Sequence, residues 1–277
     1  MSEPLGLDAD KSNSQKHAEG GFGETVKVVI QALLIALVVR TLLFQPFNIP
    51  SGSMIPTLLI GDFLFVSKYS YGYSRYSIPF SPDLFSGRIL ASKPKRGDVV
   101  VFKLPRDTSS DYIKRVIGLP GDKIQMVEGR LQINGKTVPR EPIAKVRTED
   151  RFGRLTEVPT YKETLPGGVS HTIIEIEGDT GFNDNTGVFE VPADHYFMMG
   201  DNRDNSLDSR FLSGHCPPID GVVNRAGCPL AVDPKDASVG FVPLDHLMGR
   251  ADTVLMTFHH CKLMDDAPCH KRVWKGL

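Results

Sequence analysis

The longest apolar run of the chain lies near its N-terminus, where Val28 to Val39 reads VVIQALLIALVV. After Arg40 and Thr41 the run resumes through Leu42, Leu43 and Phe44, until Pro46 forbids further helix. The 18 residues from Val28 to Gln45 span about 27 Å as a helix, against a hydrocarbon core of about 30 Å. Residues 24–45 are therefore expected to form a transmembrane anchor, with Lys27 and Arg40 snorkelling from its ends. A buried helix of a soluble domain is one alternative. A cleaved leader is another, weakened because Phe44-Gln45-Pro46-Phe47 offers no small-x-small cleavage site. Lys11, Lys16 and Lys27 precede the run, while after Arg40 the next basic residue is Lys68, which predicts a cytoplasmic N-terminus and a translocated body. Residues 1–23 carry no apolar period and read as a flexible cytoplasmic tail.

Beyond Pro50 the pattern changes to short apolar or alternating runs separated by turn residues. Strands are predicted over Phe63–Ser67, Asp98–Lys103, Tyr112–Ile117, Lys123–Val127, Leu131–Ile133 and Tyr196–Met199. Glu128-Gly129 and Asn134-Gly135 fall between such runs as hairpin turns. With no sustained helical period after Pro46, the fold class is mostly β: one N-terminal helix, then an antiparallel or mixed β domain over residues 46–258. Tyr69, Tyr71, Tyr73 and Tyr76 crowd together, with Phe80 and Phe85 following. They read either as a core-lining loop or as a surface resting on a bilayer.

Composition narrows the function classes. The 277 residues are 40% apolar and 23% charged, with net charge -1, which suits a globular protein and excludes a disordered tail protein or a simple polycation for nucleic acid.

Three separated segments carry candidate chemistry. In Pro50-Ser51-Gly52-Ser53-Met54-Ile55-Pro56, two hydroxyls sit on a glycine-containing turn restrained by prolines. In Asp111 to Asp122, strand alternation puts Lys114 on one face with Tyr112 and Val116, and Arg115 on the other with Ile113. Lowering a lysine from about 10.4 to about 7 or 8 costs roughly 4 kcal/mol of desolvation. From this segment alone, a lysine with a packed stem and a hydrated head is the simpler reading. In Met198 to Arg210, the density of Asp, Asn, Ser and Arg points to a polar turn network. A calcium loop of the EF-hand type is excluded there, because the required glycine and distal Glu are missing.

Taken together, the segments resemble the type I signal peptidases of bacteria, membrane-anchored serine proteases with a Ser-Lys dyad. The resemblance runs through Pro50 to Leu58, Gly97 to Phe102, Tyr112 to Asp122 and Gly200 to Arg210, and closes with Gly240-Phe-Val-Pro and Gly249-Arg-Ala. It implies Ser53 as nucleophile and Lys114 as general base, with the Ser53 N–H and the Ser51 hydroxyl as oxyanion donors. It makes Ser206 the group that orients Lys114. Asp208 and Arg210 with Arg115, and less securely Asp201, become a supporting ion-pair network. It further implies cleavage after small residues at -1 and -3. The matching pocket residues are Ile49, Pro50, Ser51, Met54, Leu58, Tyr112 and Ile113 for one site, and Phe47, Leu64, Val101 and Asp111 for the other. Exported preproteins and the lipid bilayer are the expected partners, at the outer face of the inner membrane. The chain is expected to act as a monomer without cofactor, metal or nucleic acid. A dedicated Ser-Lys processing protease and an inactive, tethered peptide-binding module remain as alternatives.

Cys216, Cys228, Cys261 and Cys269 suit an oxidising compartment, and proximity favours Cys216 with Cys228 and Cys261 with Cys269. The spacing of His259, His260, Cys261, Cys269 and His270 fits no standard zinc finger. Residues 212–238 read as an insertion, and 259–277 as a C-terminal tail.

Overall fold

The computed structural model of the chain describes residues 22–79, 81–149, 155–211, 238–257 and 274–277. The insertion up to residue 237, all four cysteines with their expected pairing, His259, His260, His270 and most of both tails lie outside the described residues.

The chain divides into two units, Met1–Val38 and Val39–Leu277. Helix α1 (Phe22–Leu42) has no buried residue and is long and apolar enough to cross a membrane. It stops at Leu42 rather than at the expected Gln45, and Phe44–Asn48 forms strand β1. Proline disfavours helical backbone at the residue before it, and Gln45 precedes Pro46. The freed residues instead pair antiparallel with β2 (Asp62–Ser67), placing Phe44 opposite Ser67 and Phe47 opposite Leu64.

Every named strand pair in the body is antiparallel. The main sheet runs β1, β2, β14 (Leu247–Thr257), β3 (Val99–Lys103), β4 (Asp111–Gly118), β12 (His195–Met199) and β13 (Val242–Pro243). Beside it stands a sheet of β11 (Phe189–Glu190), β5 (Lys123–Val127), β6 (Arg130–Ile133) and β7 (Lys136–Thr137). A third sheet holds β10 (Ser170–Ile174), β9 (Leu155–Thr164) and β8 (Arg140–Glu149). The two expected hairpin turns are present. Glu128 and Gly129 take φ of 47° and 67°, and Asn134 and Gly135 take 54° and 74°. Two successive residues at positive φ give the turn whose twist matches a hairpin. The far C-terminus departs from the expectation of a tail, because β15 (Lys275–Gly276) pairs with β14 at Val254 and Thr253.

Strand alternation distributes the core over both faces of the main sheet. Ile49, Leu58, Leu64, Val101 and Val254 pack together on one face, and Val100, Phe102, Val116, Met198 and Leu247 on the other. The tyrosine group is split between the two readings: Tyr71 and Tyr76 are buried, whereas Tyr69 is exposed. Tyr73 donates a 2.8 Å hydrogen bond to the Leu42 carbonyl.

Candidate active site

Between β1 and β2 the chain makes a tight excursion over residues 49–61. Its base is tied by Ile49 N–H to the Asp62 carbonyl at 2.9 Å and Gly61 N–H to the Ile49 carbonyl at 2.8 Å. Met54 and Leu58 are fully buried and joined by a 2.9 Å backbone hydrogen bond, so this turn is pinned to the core from inside. Ser53 follows from that anchoring: it precedes Met54 and is itself 7% exposed.

Lys114 arrives from mid-strand β4, opposite Val100 of β3. Its Nζ lies 2.7 Å from Ser53 Oγ, and 5.5 Å from the centre of the Tyr112 ring. Burial lowers the amine from the ordinary lysine range to about 8, against the opposing pull of the Asp208 and Asp201 carboxylates. A neutral amine has a lone pair for the serine proton, and a buried hydroxyl hydrogen-bonded to such an amine can be activated for nucleophilic attack. The pair opens on a cavity of about 410 Å³ lined also by Pro50, Ser51, Asp111, Tyr112 and Ile113, and by Asn205 and Leu207. Ser51 is exposed at its edge. Ile49, Met54, Leu58, Leu64 and Val101 do not reach this surface. They are at most 2% exposed and form one cluster beneath it, with Phe47 and Ile113 packed against them.

The loop after β12 closes the site from the other side. Asn202 N–H donates to the Ser53 carbonyl, and Asn202 Nδ2 to the Gly52 carbonyl, both at 3.1 Å. Gly200 is required here by close approach: a Cβ at this position would stand 2.5 Å from the Ser53 carbonyl and collide with the Ser206 hydroxyl. Ser206 is thus brought to the site, where its buried Oγ makes no hydrogen bond to Lys114 among the described residues and acts instead on the Asp208 carboxylate, helping to hold it low.

The expected ion-pair network resolves into two separate bidentate pairs. Arg115 reaches Asp201 with Nε at 2.8 Å and Nη2 at 2.7 Å, on the face of β4 opposite Lys114. Arg210 grips Asp208 through Nε and Nη2, each at 2.9 Å. Burial pushes both carboxylates up, and the guanidiniums more than offset it, holding both below the ordinary range. The sequence reading missed a third pair, Arg203 with Glu163 of β9, joined by Nη1 at 3.2 Å and Nη2 at 2.5 Å. His171 lies 3.4 Å from Glu163 and 3.8 Å from Asp201, and burial lowers it to about 4, leaving it neutral near pH 7. The missed Asn202 and Asn205 belong to the polar segment already singled out, where density alone did not rank one residue over its neighbours.

A hydroxyl and an amine paired in a buried corner of an antiparallel β body, beside an open groove, are an arrangement that a serine hydrolase can use. Residues 22–256 match the family described as signal peptidase, peptidase S26. The chain belongs to that family and is a serine endopeptidase. It is 45% identical over 217 residues to the signal peptidase I of Rickettsia conorii, covering 76% of this chain and 79% of the relative. It is 44% identical over 218 residues to that of Rickettsia prowazekii, covering 76% and 80%. A solved signal peptidase I from Enterococcus faecalis is 22% identical and aligns with 57% of this chain and 97% of its own. Its TM-score of 0.28 is too low to bear on the geometry.

Proposed function

We propose that the chain removes signal peptides from exported preproteins as a membrane-anchored Ser-Lys endopeptidase, with Ser53 as nucleophile and Lys114 as general base. The observation that carries the reading is the 2.7 Å hydrogen bond between Ser53 Oγ and a buried Lys114 Nζ. In the neutral form Lys114 accepts the Ser53 proton as Oγ attacks the scissile carbonyl, and the C–O bond forms while the carbonyl electrons move to oxygen. The Ser53 N–H and the Ser51 hydroxyl, on the rim of the cavity, donate to that oxyanion. Collapse breaks the C–N bond, and Lys114 hands its proton to the leaving amine. Lys114 then takes a proton from the water that attacks the ester, and returns it to Ser53 Oγ as the ester C–O bond breaks, which regenerates both groups.

Substrate binds extended, its main chain pairing with a strand edge. Its small side chains lie over the apolar floor beneath Pro50, Tyr112 and Ile113, giving cleavage after small residues at -1 and -3. Helix α1 is the anchor, with the N-terminus cytoplasmic and the body outside the inner membrane. The test is cleavage of a preprotein carrying an Ala-x-Ala site by the detergent-solubilised full chain. The expected product begins immediately after the second Ala. Ser53→Ala and Lys114→Ala each reduce turnover by at least about 10³-fold, in line with loss of either member of a unit that acts together. Full activity in either folded variant overturns the dyad.

A further inference from the structure

Three carboxylates outside the dyad converge where β10 runs into the loop that holds the active site. Glu175, Asp184 and Asp204 each present an oxygen, and these atoms all lie within 4.8 Å of one another. Glu175 and Asp184 are fully buried. Among the described residues, both Glu175 oxygens and Asp184 Oδ1 accept no hydrogen bond, although buried carboxylate oxygens normally do. Arg140 Nη1 forms a 3.5 Å ion pair with Glu175 Oε1 without a hydrogen bond, while its Nη2 donates to both Asp179 oxygens at 2.5 and 2.6 Å. Arg203 and Arg210, the other guanidiniums acting on the cluster, are bidentate to Glu163 and Asp208. A cavity of about 410 Å³ lined by Glu177, Phe182, Asn183, Asp204 and Asn205 gives access to the rim of the cluster.

From this geometry we propose a binding site for a hard divalent cation of the calcium type, ligated by Glu175, Asp184 and Asp204. Three carboxylate oxygens in an irregular setting suit Ca²⁺, which tolerates varied geometry, better than Mg²⁺, which demands a near-ideal octahedron. The arrangement is not a local loop motif, since Glu175 and Asp184 stand at the two ends of one connection and Asp204 comes from the loop after β12. Bound cation joins the 175–184 turn to Asp204. That segment is already zipped to the catalytic loop by Ile174 N–H to the Asp201 carbonyl, Arg203 N–H to the Ile174 carbonyl, both 3.0 Å, and Glu177 N–H to Asp204 Oδ2 at 2.7 Å. Asn202 on that loop holds the Gly52 and Ser53 carbonyls. The cation therefore acts as a positioning brace for the active site, without touching substrate.

Binding can be read independently of proteolysis. Full-length protein in detergent, stripped of metal with chelator and dialysed, is titrated with CaCl₂ by calorimetry and followed by thermal unfolding. The expected result is one Ca²⁺ per chain with a dissociation constant of about 0.1–1 mM, the range of extracellular calcium modules, and binding of Mg²⁺ weaker by about tenfold or more. Calcium should raise the unfolding temperature and slow amide exchange over Asn202 to Ser206. Asp204→Asn, at the half-buried rim, and Asp184→Asn should each weaken Ca²⁺ by about tenfold or more, since fewer charged ligands remain. Glu190→Gln, an exposed carboxylate elsewhere, should not. Absence of binding up to about 10 mM Ca²⁺, well above the weakest such modules, overturns the site. So does unchanged affinity in folded Asp204→Asn, which serves alone if Asp184→Asn does not fold.

Discussion

At the scale of single residues, the site rests on one expensive group. A lysine held at about 8 in the folded protein and near 10.5 when unfolded binds fewer protons in the native state between those pH values. Stability from this group therefore rises with pH across that window, and below it the native state carries a buried charge at full cost. A shift of this size corresponds to a penalty on the order of 3 kcal/mol. Lys114→Met, which keeps the packing and removes the charge, should raise stability by about 1–3 kcal/mol at pH 7 while abolishing cleavage. The gain should fade above about pH 10.5, where the lysine is neutral in both states. Chemical denaturation at the two pH values checks it. In the wild type, kcat/KM should climb through about pH 8 as the Lys114 amine loses its proton. A profile flat from pH 6 to pH 10 (roughly two units either side of an ionisation) would remove Lys114 as base.

At the scale of elements, strand β4 separates two cations that are adjacent in sequence. Alternation sends Lys114 toward Ser53 and Arg115 toward Asp201, so the proposed base is kept apart from the neighbouring guanidinium. This was legible beforehand, because period two needs only a strand assignment. The β5–β6 and β6–β7 turns were legible as well, since Glu128-Gly129 and Asn134-Gly135 carry their own backbone demand. Strands β8 and β9 were not: REPIAKVRTE and LTEVPTYKET hold few apolar residues and no clean alternation. Their pairing is decided by contacts that sequence order hides, such as Glu163 with Arg203, forty residues apart. The Glu175, Asp184 and Asp204 cluster escaped for the same reason, while Ser53 and Lys114 were found through the family resemblance rather than spacing. The Gly200 contact gives a direct test of the loop. Gly200→Ala must displace either Ser206 or the Ser53 carbonyl. A misplacement of about 1 Å should cost about 100-fold in turnover with the fold retained. Wild-type rates in a folded variant would show that the loop yields without consequence.

At the scale of the whole molecule, the order of strands in the main sheet sets when the site can exist. Strand β14 lies between β2, which follows the Ser53 turn, and β3, which pairs with the Lys114 strand. Its Ala251 and Val254 are buried in the same cluster as Leu64 and Val66. Without β14 the Ser53 turn and the Lys114 strand belong to separate sheets, each with an unpaired edge. A chain ending at His246 should therefore lose cooperative unfolding and be degraded rapidly under limited proteolysis that the full chain withstands. A protease-resistant, cooperatively unfolding product would show that β14 is dispensable. Such late, non-local pairing is intrinsically slow to form. For the cell, it is a timer: a polypeptide emerging from the ribosome has no working blade until β14, the last long strand among the described residues, has been delivered and threaded home.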